Sequence, residues 1–333
     1  MSAKSSSEPT IFRAYEYAEF GDPLQVIKLN TRAVTVPLKP SQVRVRVHAA
    51  SLNPIDLKLV QFGAAMLPIE PSAAAPFRIG FDFAGVIDAV GSNVKGFNTG
   101  DEVFGGHHDP YQMSCADFIN VEATALVRKP TTISFEEAAA IPLVGITSYQ
   151  ALLERSKLKS GDRVLVLGGS TATGMIGIQI AKAFGAHVVA TTSTRNIELV
   201  RSLGADQVVD YSVDKWADVL DPQSIDIVYD CGVEPNAWVN GVQRVLKAGC
   251  TFVTIGRPDK AFTESPVGSK AVSFHAALRT GDLEAIVKLV EDGKIKAVID
   301  SVHKFEDLSE ALKIQLSRHA RGKIILQVAD VDP

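Results

Sequence analysis

At 333 residues the chain is long enough for two domains of roughly 100–200 residues each, and 46% hydrophobic with 22% charged residues suits a globular protein with sizeable cores. The net charge of −4 comes without a Lys/Arg cluster of the kind that tracks a phosphate backbone, which sets nucleic acid aside as a main partner. The 3 cysteines are scattered and form no CxxC pair, which argues against a disulfide framework or a Cys-rich zinc site, and no apolar run approaches the ~18 residues of a membrane span.

Residues 1–10, MSAKSSSEPT, are polar and lack the apolar stretch of a signal peptide, so they read as a short disordered tail on a cytoplasmic protein. Residues 11–133 lean to β structure. VRVRVHAAS (43–51) alternates apolar and polar like a half-buried strand, and FAGVIDAVG (83–91), DEVFGG (101–106) and ADFINVEATALVRKP (116–130) follow with Gly and Pro punctuation. The pattern changes at Ser134, an N-cap candidate with Glu137 three residues on, which is a capping-box start. Apolar runs then alternate with helical segments: VLVL (164–167), helix 174–184, HVVATT, helix 195–203, QVVDY, helix 214–220, DIVYDC, helix 235–247 and TFVTIG. Near-continuous apolar strands alternating with helices predict a doubly wound parallel sheet, here over residues 134–276. An amphipathic helix at 283–295, AVIDSVHKF, a helix in 306–317 and the strand GKIILQV close the chain, and residues 277–333 are assigned back to the first domain.

The segment VLVLGGSTATGMIGIQIAKAFGA (164–186) has the order of a dinucleotide turn, with Thr171 and Ala172 where glycines usually stand. Gly168, Gly169, Gly174 and Gly177 remain, and Ser170, Thr171 and Thr173 bring hydroxyls beside helix amides that point at any bound anion. An NAD site wants an acid about 20 residues on, to hold the ribose 2′-hydroxyl. The stretch 175–197 has none; it offers Ser193, Thr194, Arg195 and Asn196, a set suited to a 2′-phosphate. NADPH is therefore the expected cofactor, with Tyr211 at the end of the third strand beside the same phosphate.

SLNPIDLK (51–58), GFDFAGVIDAVG (80–91), GDEVFG (100–105), IPLVGITSYQAL (141–152), LKSGDRVLVLGGSTATG (158–174), STRNIELVRSLGAD (193–206) and RHARGKIIL (318–326) occur in order. Together they resemble the zinc-independent quinone oxidoreductases of the medium-chain dehydrogenase/reductase superfamily, of the zeta-crystallin-like and reticulon-4-interacting-protein-like kind. The resemblance implies a discontinuous GroES-like β-barrel domain around a Rossmann domain, an active site in the cleft between them, and a homodimer. It implies that Asn53 lines the cleft near the nicotinamide and hydrogen-bonds a substrate oxygen, with Asp56 and Lys58 close by. It further implies cofactor contacts from Val144 and Thr147, from Gly232, Ile255 and Gly256 at strand ends, and from the segment of His319, Ala320, Arg321 and Lys323. Zinc relatives hold a metal with Cys and His or Glu. Here SLNPID has no Cys, Phe81–Asp82 occupies the usual His–Glu pair, and His107 and His108 read as an exposed turn, so no metal is expected.

Two functions stay open. One is an NADPH-dependent reductase of quinones or α,β-unsaturated carbonyls, flat electrophiles that the sequence does not separate. The other is an NADPH-binding sensor or interaction protein with little catalysis, which the altered glycine turn permits.

Overall fold

In a computed structural model of the chain the described residues are 11–258 and 261–329, so the tail expected over 1–10 lies outside them. The chain divides into two compact units. The first takes everything up to Pro142, Leu278–Leu283 and everything from Ile299; the second takes Leu143–Ala277 and Glu284–Val298. Two stretches fall on the other side from the boundaries read in the sequence. Residues 134–142 belong to the first unit because the helix Phe135–Ala139 packs there: the Phe135 ring stacks on His48 at 4.5 Å, and Ser51 Oγ lies 2.8 Å from the Ala139 carbonyl. Residues 284–298 belong to the second because the Gln179 amide bonds both backbone groups of Lys296.

The strands run in chain order as β1 (Ile11–Tyr17), β2 (Lys28–Val34), β3 (Gln42–Leu52), β4 (Phe77–Arg78), β5 (Asp82–Val90), β6 (Glu102–Gly106), β7 (Phe118–Glu122) and β8 (Leu126–Arg128) in the first unit. The second unit carries β9 (Arg163–Leu167), β10 (His187–Thr192), β11 (Gln207–Asp210), β12 (Ile225–Asp230), β13 (Leu246–Thr254) and β14 (Lys270–Ser273), and the first resumes with β15 (Ile299–Lys304) and β16 (Lys323–Gln327).

In the first unit β3 is the hub. Val43, Val45 and Val47 turn inward while Arg44 and Arg46 face out, as the alternation predicts. The main sheet has the order β15-β16-β3-β5-β6-β8, with β7 also on β3, and a small sheet β2-β1-β4 completes the unit. Its core gathers Val43, Val45, Phe77, Phe83, Ile119 and Phe305. The antiparallel pairs β16–β3 and β3–β5 matter most for function, since they bring Lys323, Leu52, Ser51 and Asp82 together from distant parts of the chain.

The second unit is a fully parallel six-stranded sheet, β11-β10-β9-β12-β13-β14, the doubly wound order expected from the strand–helix alternation. Val164 to Leu167 are wholly buried, which is why β9 reads as an unbroken apolar run. The capping box stands: Glu137 N donates to Ser134 Oγ at 3.2 Å, and Ser134 N to Glu137 Oε2 at 2.9 Å. That helix stops at Ala139 and a new one starts at Pro142, because proline lacks the donor to continue and disfavours helix in the residue before it. Several predicted helices are shorter. Helix 195–203 is Ile197–Ser202 after a 3₁₀ turn at Thr194–Asn196, helix 214–220 is Trp216–Val219, and helix 235–247 yields its end to β13, which pairs Leu246 with Ile225. The strand β14 and the helix Pro54–Phe62 have no counterpart in the sequence reading.

Candidate functional site

In the second unit the expected site residues gather at the carboxyl ends of β9, β10, β11, β12 and β13. The turn after β9 keeps glycine where sterics demand it. Gly168 has φ +83°, and a Cβ there would lie 2.6 Å from Gly232 Cα; a Cβ on Gly174 would lie 2.2 Å from the Gly168 carbonyl oxygen. Thr171 is the N-cap. Its Oγ1 accepts from Gly174 N at 3.0 Å and donates to Gly168 O at 2.8 Å, so the helix is Ala172–Ala183 and starts earlier than the 174 expected. The single hydroxyl proton of Thr171 is thus spent inside the turn. By position the amides of Ala172 and Thr173 have no intrahelical partner and face whatever lies off the helix start, beside half-buried Ser170. The Thr173 carbonyl accepts from Ser148 Oγ at 2.9 Å, which ties the turn to the helix Pro142–Tyr149 carrying buried Val144 and Thr147.

The end of β10 holds two unpartnered oxygens. Among the described residues, fully buried Thr192 has no hydrogen-bond partner at Oγ1; Asn196 is buried, its Nδ2 donates to Ser193 Oγ at 3.2 Å, and its Oδ1 has none. Buried polar atoms left open in a native fold call for a ligand or an ordered water. Arg195 lies exposed between them, and Tyr211, 59% exposed, follows β11.

Asp210 is a residue the sequence reading missed. Its carboxylate accepts from Thr194 Oγ1 at 2.5 Å, and this bond, ahead of the Ser212 amide, holds it below the usual carboxylate range. Residues 175–197 contain no acid, but the parallel pairing of β10 with β11 sets Asp210 opposite Thr192. The signal was there in QVVDY, a strand ending in an acid.

At β12, Cys231 Sγ donates to Leu167 O at 3.1 Å, and burial pushes the thiol up to about 12, so it packs rather than reacts. Burial also lifts the Asp230 carboxyl to about 6, while it accepts from Thr254 Oγ1 at 2.8 Å and Glu234 N at 3.1 Å. The Thr254 hydroxyl oxygen in turn accepts from Gly256 N at 2.9 Å, next to half-buried Ile255. A glycine cradle, free helix amides and orphaned oxygens at one sheet end fit a phosphate-bearing dinucleotide.

In the first unit Asn53 caps the helix Pro54–Phe62, and Asp56 Oδ2 accepts its backbone N–H at 2.7 Å. Its amide is held at both ends: Nδ2 donates to Asp82 Oδ2 at 3.0 Å, and Lys323 Nζ donates to Oδ1 at 2.5 Å. Lys323 also donates to Asp82 Oδ2 at 3.0 Å and Leu52 O at 3.2 Å, so its three protons are spent here and it is not part of a free basic loop. Of that loop, His319 and Arg321 are exposed, Ala320 is half-buried, and Arg321 N donates to Asp300. Asp56 is buried; desolvation raises its carboxyl to about 7 although the Asn53 and Gly80 amides donate to it. Lys58 stands exposed on the same helix.

The expected exposed turn at His107–His108 is only half so. His107 is buried, its amide donates to Phe81 O at 2.9 Å, and desolvation drives its imidazole down to about 4. His108 is exposed, its ring centroid 5.2 Å from that of Phe81 in an edge-on arrangement. Among the described residues no group of three or more His, Cys, Asp or Glu side chains is placed to hold a metal.

Two family models match the chain: the alcohol dehydrogenase GroES-like domain over residues 39–150 and zinc-binding dehydrogenase over residues 203–326. The 2-methylene-furan-3-one reductase of Solanum lycopersicum is 36% identical, with 97% of this chain and 80% of that protein covered. The chloroplastic NADPH-dependent alkenal/one oxidoreductase of Arabidopsis thaliana is 33% identical, with 96% and 81% covered. The structure of the quinone oxidoreductase from Coxiella burnetii superposes with a TM-score of 0.83 at 28% identity, covering 96% of this chain and 100% of that one. With its GroES-like and Rossmann units, the chain belongs to the medium-chain dehydrogenase/reductase superfamily, among relatives named as quinone and alkenal/enone oxidoreductases.

Proposed function

We propose that this protein is an NADPH-dependent reductase of α,β-unsaturated carbonyls or quinones. The observation that carries the reading is the orphaned, fully buried Thr192 hydroxyl beside Ser193 and Arg195 at the end of β10, donors for a phosphate, while the orphaned Asn196 Oδ1 accepts only and suits a ribose hydroxyl. NADPH, when bound, supplies the hydride. Ser170, the Ala172 and Thr173 amides and Gly232 hold its pyrophosphate; Ser193, Arg195, Asn196 and Tyr211 hold its adenosine end. Val144, Thr147, Ile255 and Gly256 line its nicotinamide side.

In the first unit Asn53 gives one amide proton to Asp82, and its second is available to a carbonyl oxygen. The buried lysine and aspartate fix that amide's orientation, so it meets developing oxyanion charge without reorganising. Lys58 adds a cation for the same charge. Two curated relatives are named for unsaturated carbonyls and one solved structure for a quinone, which supports both substrate classes. A homodimer in a reducing cytoplasm goes with this proposal: the three cysteines are free, and β14 ends its sheet.

The test is fluorescence titration of wild type and Arg195→Ala with NADPH and NADH, followed by turnover of a simple quinone and a short enone. NADPH binding that weakens in the variant while NADH binding does not supports the reading. Failure of either dinucleotide to bind wild type refutes it. If the Asp210 carboxylate instead favours a free ribose hydroxyl, NADH will bind the more tightly.

A further inference from the structure

A small cavity in the first unit, about 30 Å³, is lined by Tyr17, Asp56, Arg78, Phe81 and His108 among others. That volume suits about one water molecule. Its lining is chemically uneven. Arg78, 8% exposed, bonds Glu16 through Nε at 3.1 Å, but its Nη1 is buried without a partner. Asp56 faces it as a wholly buried carboxyl, and His108 closes it with an imidazole that reaches solvent and makes no hydrogen bond among the described residues. A donor with no acceptor, a carboxyl and an imidazole thus line one water-sized space.

Resting on the reductase reading, we propose that His108 gives the substrate its proton, and that Asp56, through a water held in this cavity, sets the pH at which His108 takes up a proton. His108 sits against Phe81, whose neighbour Asp82 bonds Asn53, the group assigned to the substrate oxygen. The chemistry balances. An enone that has accepted hydride, with both electrons from a dihydronicotinamide, is an enolate. The His108 N–H bond breaks as a C–H or O–H bond forms on the enolate, leaving neutral imidazole. Solvent, which the His108 ring reaches, reprotonates the imidazole.

The electrostatics allow this traffic. Burial brings the Asp56 carboxyl to about 7, with Asp82 raising it further and Lys323 and the Asn53 and Gly80 amides opposing. Partial desolvation of its ring lowers the His108 imidazole and Asp82 raises it, and a lowered imidazole is the stronger acid when charged. The other titratable groups nearby are Tyr17 and Cys115, which face Asp56, the Arg78–Glu16 pair, and His107 with Asp109 beside His108.

The experiment compares wild type with His108→Gln and His108→Gly in enone reduction across pH, with NADPH affinity and thermal midpoint measured on each. We expect kcat to fall on the order of 100-fold with KM nearly unchanged, as for loss of a general acid. We also expect free imidazole to restore the Gly variant, and NADPH affinity to stay at the wild-type value. In the substrate-free protein, the His108 ring protons followed by NMR titrate at a pH that moves in Asp56→Asn. A folded His108→Gln that binds NADPH and matches wild type in kcat across pH overturns the proton path alone. A His108 titration indifferent to Asp56→Asn overturns the coupling to Asp56. Wild type that binds no dinucleotide overturns the reductase reading first, and the proton path with it.

Discussion

Replacing Lys323 by methionine tests the network beneath the proposed substrate site. Asp82 is fully buried and Lys323 is 4% exposed, with Nζ 3.0 Å from Oδ2. Lys323→Met keeps the length of the side chain and removes the ammonium, leaving a carboxylate in the core with the Asn53 amide and the Ser51 hydroxyl as neutral neighbours. Breaking such a pair from one side costs about 3–5 kcal/mol, whereas neutralising both sides costs far less. Asp82→Asn with Lys323→Met should therefore recover more than half the loss. Both tryptophans, Trp216 and Trp238, lie in the second unit, so fluorescence reports there and is the wrong probe for this pair. Hydrogen exchange of the β16, β3 and β5 amides is the right one, since β16 and β5 carry the pair and β3 lies between them. At ~1.4 kcal/mol per tenfold, the single variant should speed exchange between about 100-fold and a few thousand-fold. Acceleration under tenfold, or a double variant as unstable as the two single losses added, would refute the reasoning: the pair would then be neither tightly coupled nor desolvated.

Thr171→Ala removes the N-cap of the helix Ala172–Ala183 and should cost about 1 kcal/mol in chemical denaturation, with Thr171→Ser nearly neutral. Gly174→Ala drives a Cβ to 2.2 Å from the Gly168 carbonyl oxygen, so the turn must open; NADPH affinity should drop at least about tenfold by titration, and an unchanged affinity would take the turn out of the site. Stability should depend on pH with opposed signs. Asp56 is raised in the fold to about 7, so its contribution is full below about pH 4 and is lost as pH rises through about 7, on the order of 4 kcal/mol. His107 is lowered to about 4, so its contribution is full above about pH 6.5 and is lost as pH falls through about 4. Thermal scans from pH 4 to 8 of Asp56→Asn, which should lose the first slope alone, check the assignment.

What the sequence made legible follows the strength of its periodicity. β3 could be read because Val43, Val45 and Val47 alternate with Arg44 and Arg46, and β9 because Val164 to Leu167 are buried on both faces. β14 could not, because KAVS is four residues long and half-buried at an edge, with no period to detect. The glycine turn was visible as a motif, but the reason for Thr171 was not: its hydroxyl proton goes to Gly168 O, a contact that exists only once the turn has formed. Least visible were the pairings between strands. Asp82 and Lys323 are 241 residues apart and meet only because β16 and β5 flank β3. Asp210 faces the loop after β10 only through the parallel register of β11. A linear search for an acid at a fixed distance cannot see a neighbour supplied by the sheet.

The same geometry sets how mutational data here must be read. Thr171 and Asn53 each begin a helix and each belong to a proposed site, one for the dinucleotide and one for the substrate oxygen. A helix start leaves amides to be satisfied, and a side chain that satisfies one of them is fixed in place by the folding of the helix. Thr171 spends its hydroxyl in this way and holds the amides of the turn, which then have little orientational freedom left to lose, and that favours binding. The cost is that its substitution changes stability and affinity together. Asn53 binds the point more tightly, because its amide is gripped by Asp82 and Lys323 while its backbone N–H is gripped by Asp56. Loss of activity in Asn53→Ala would therefore mix a lost donor with a buried ion pair set loose. Asn53→Asp would confound the reading further, placing a second carboxylate against Asp82. The informative substitutions are those whose side chains support no helix start and no buried pair. His108, exposed and outside every described helix, comes nearest to that condition, and a change in rate there beside an unchanged thermal midpoint reports on chemistry.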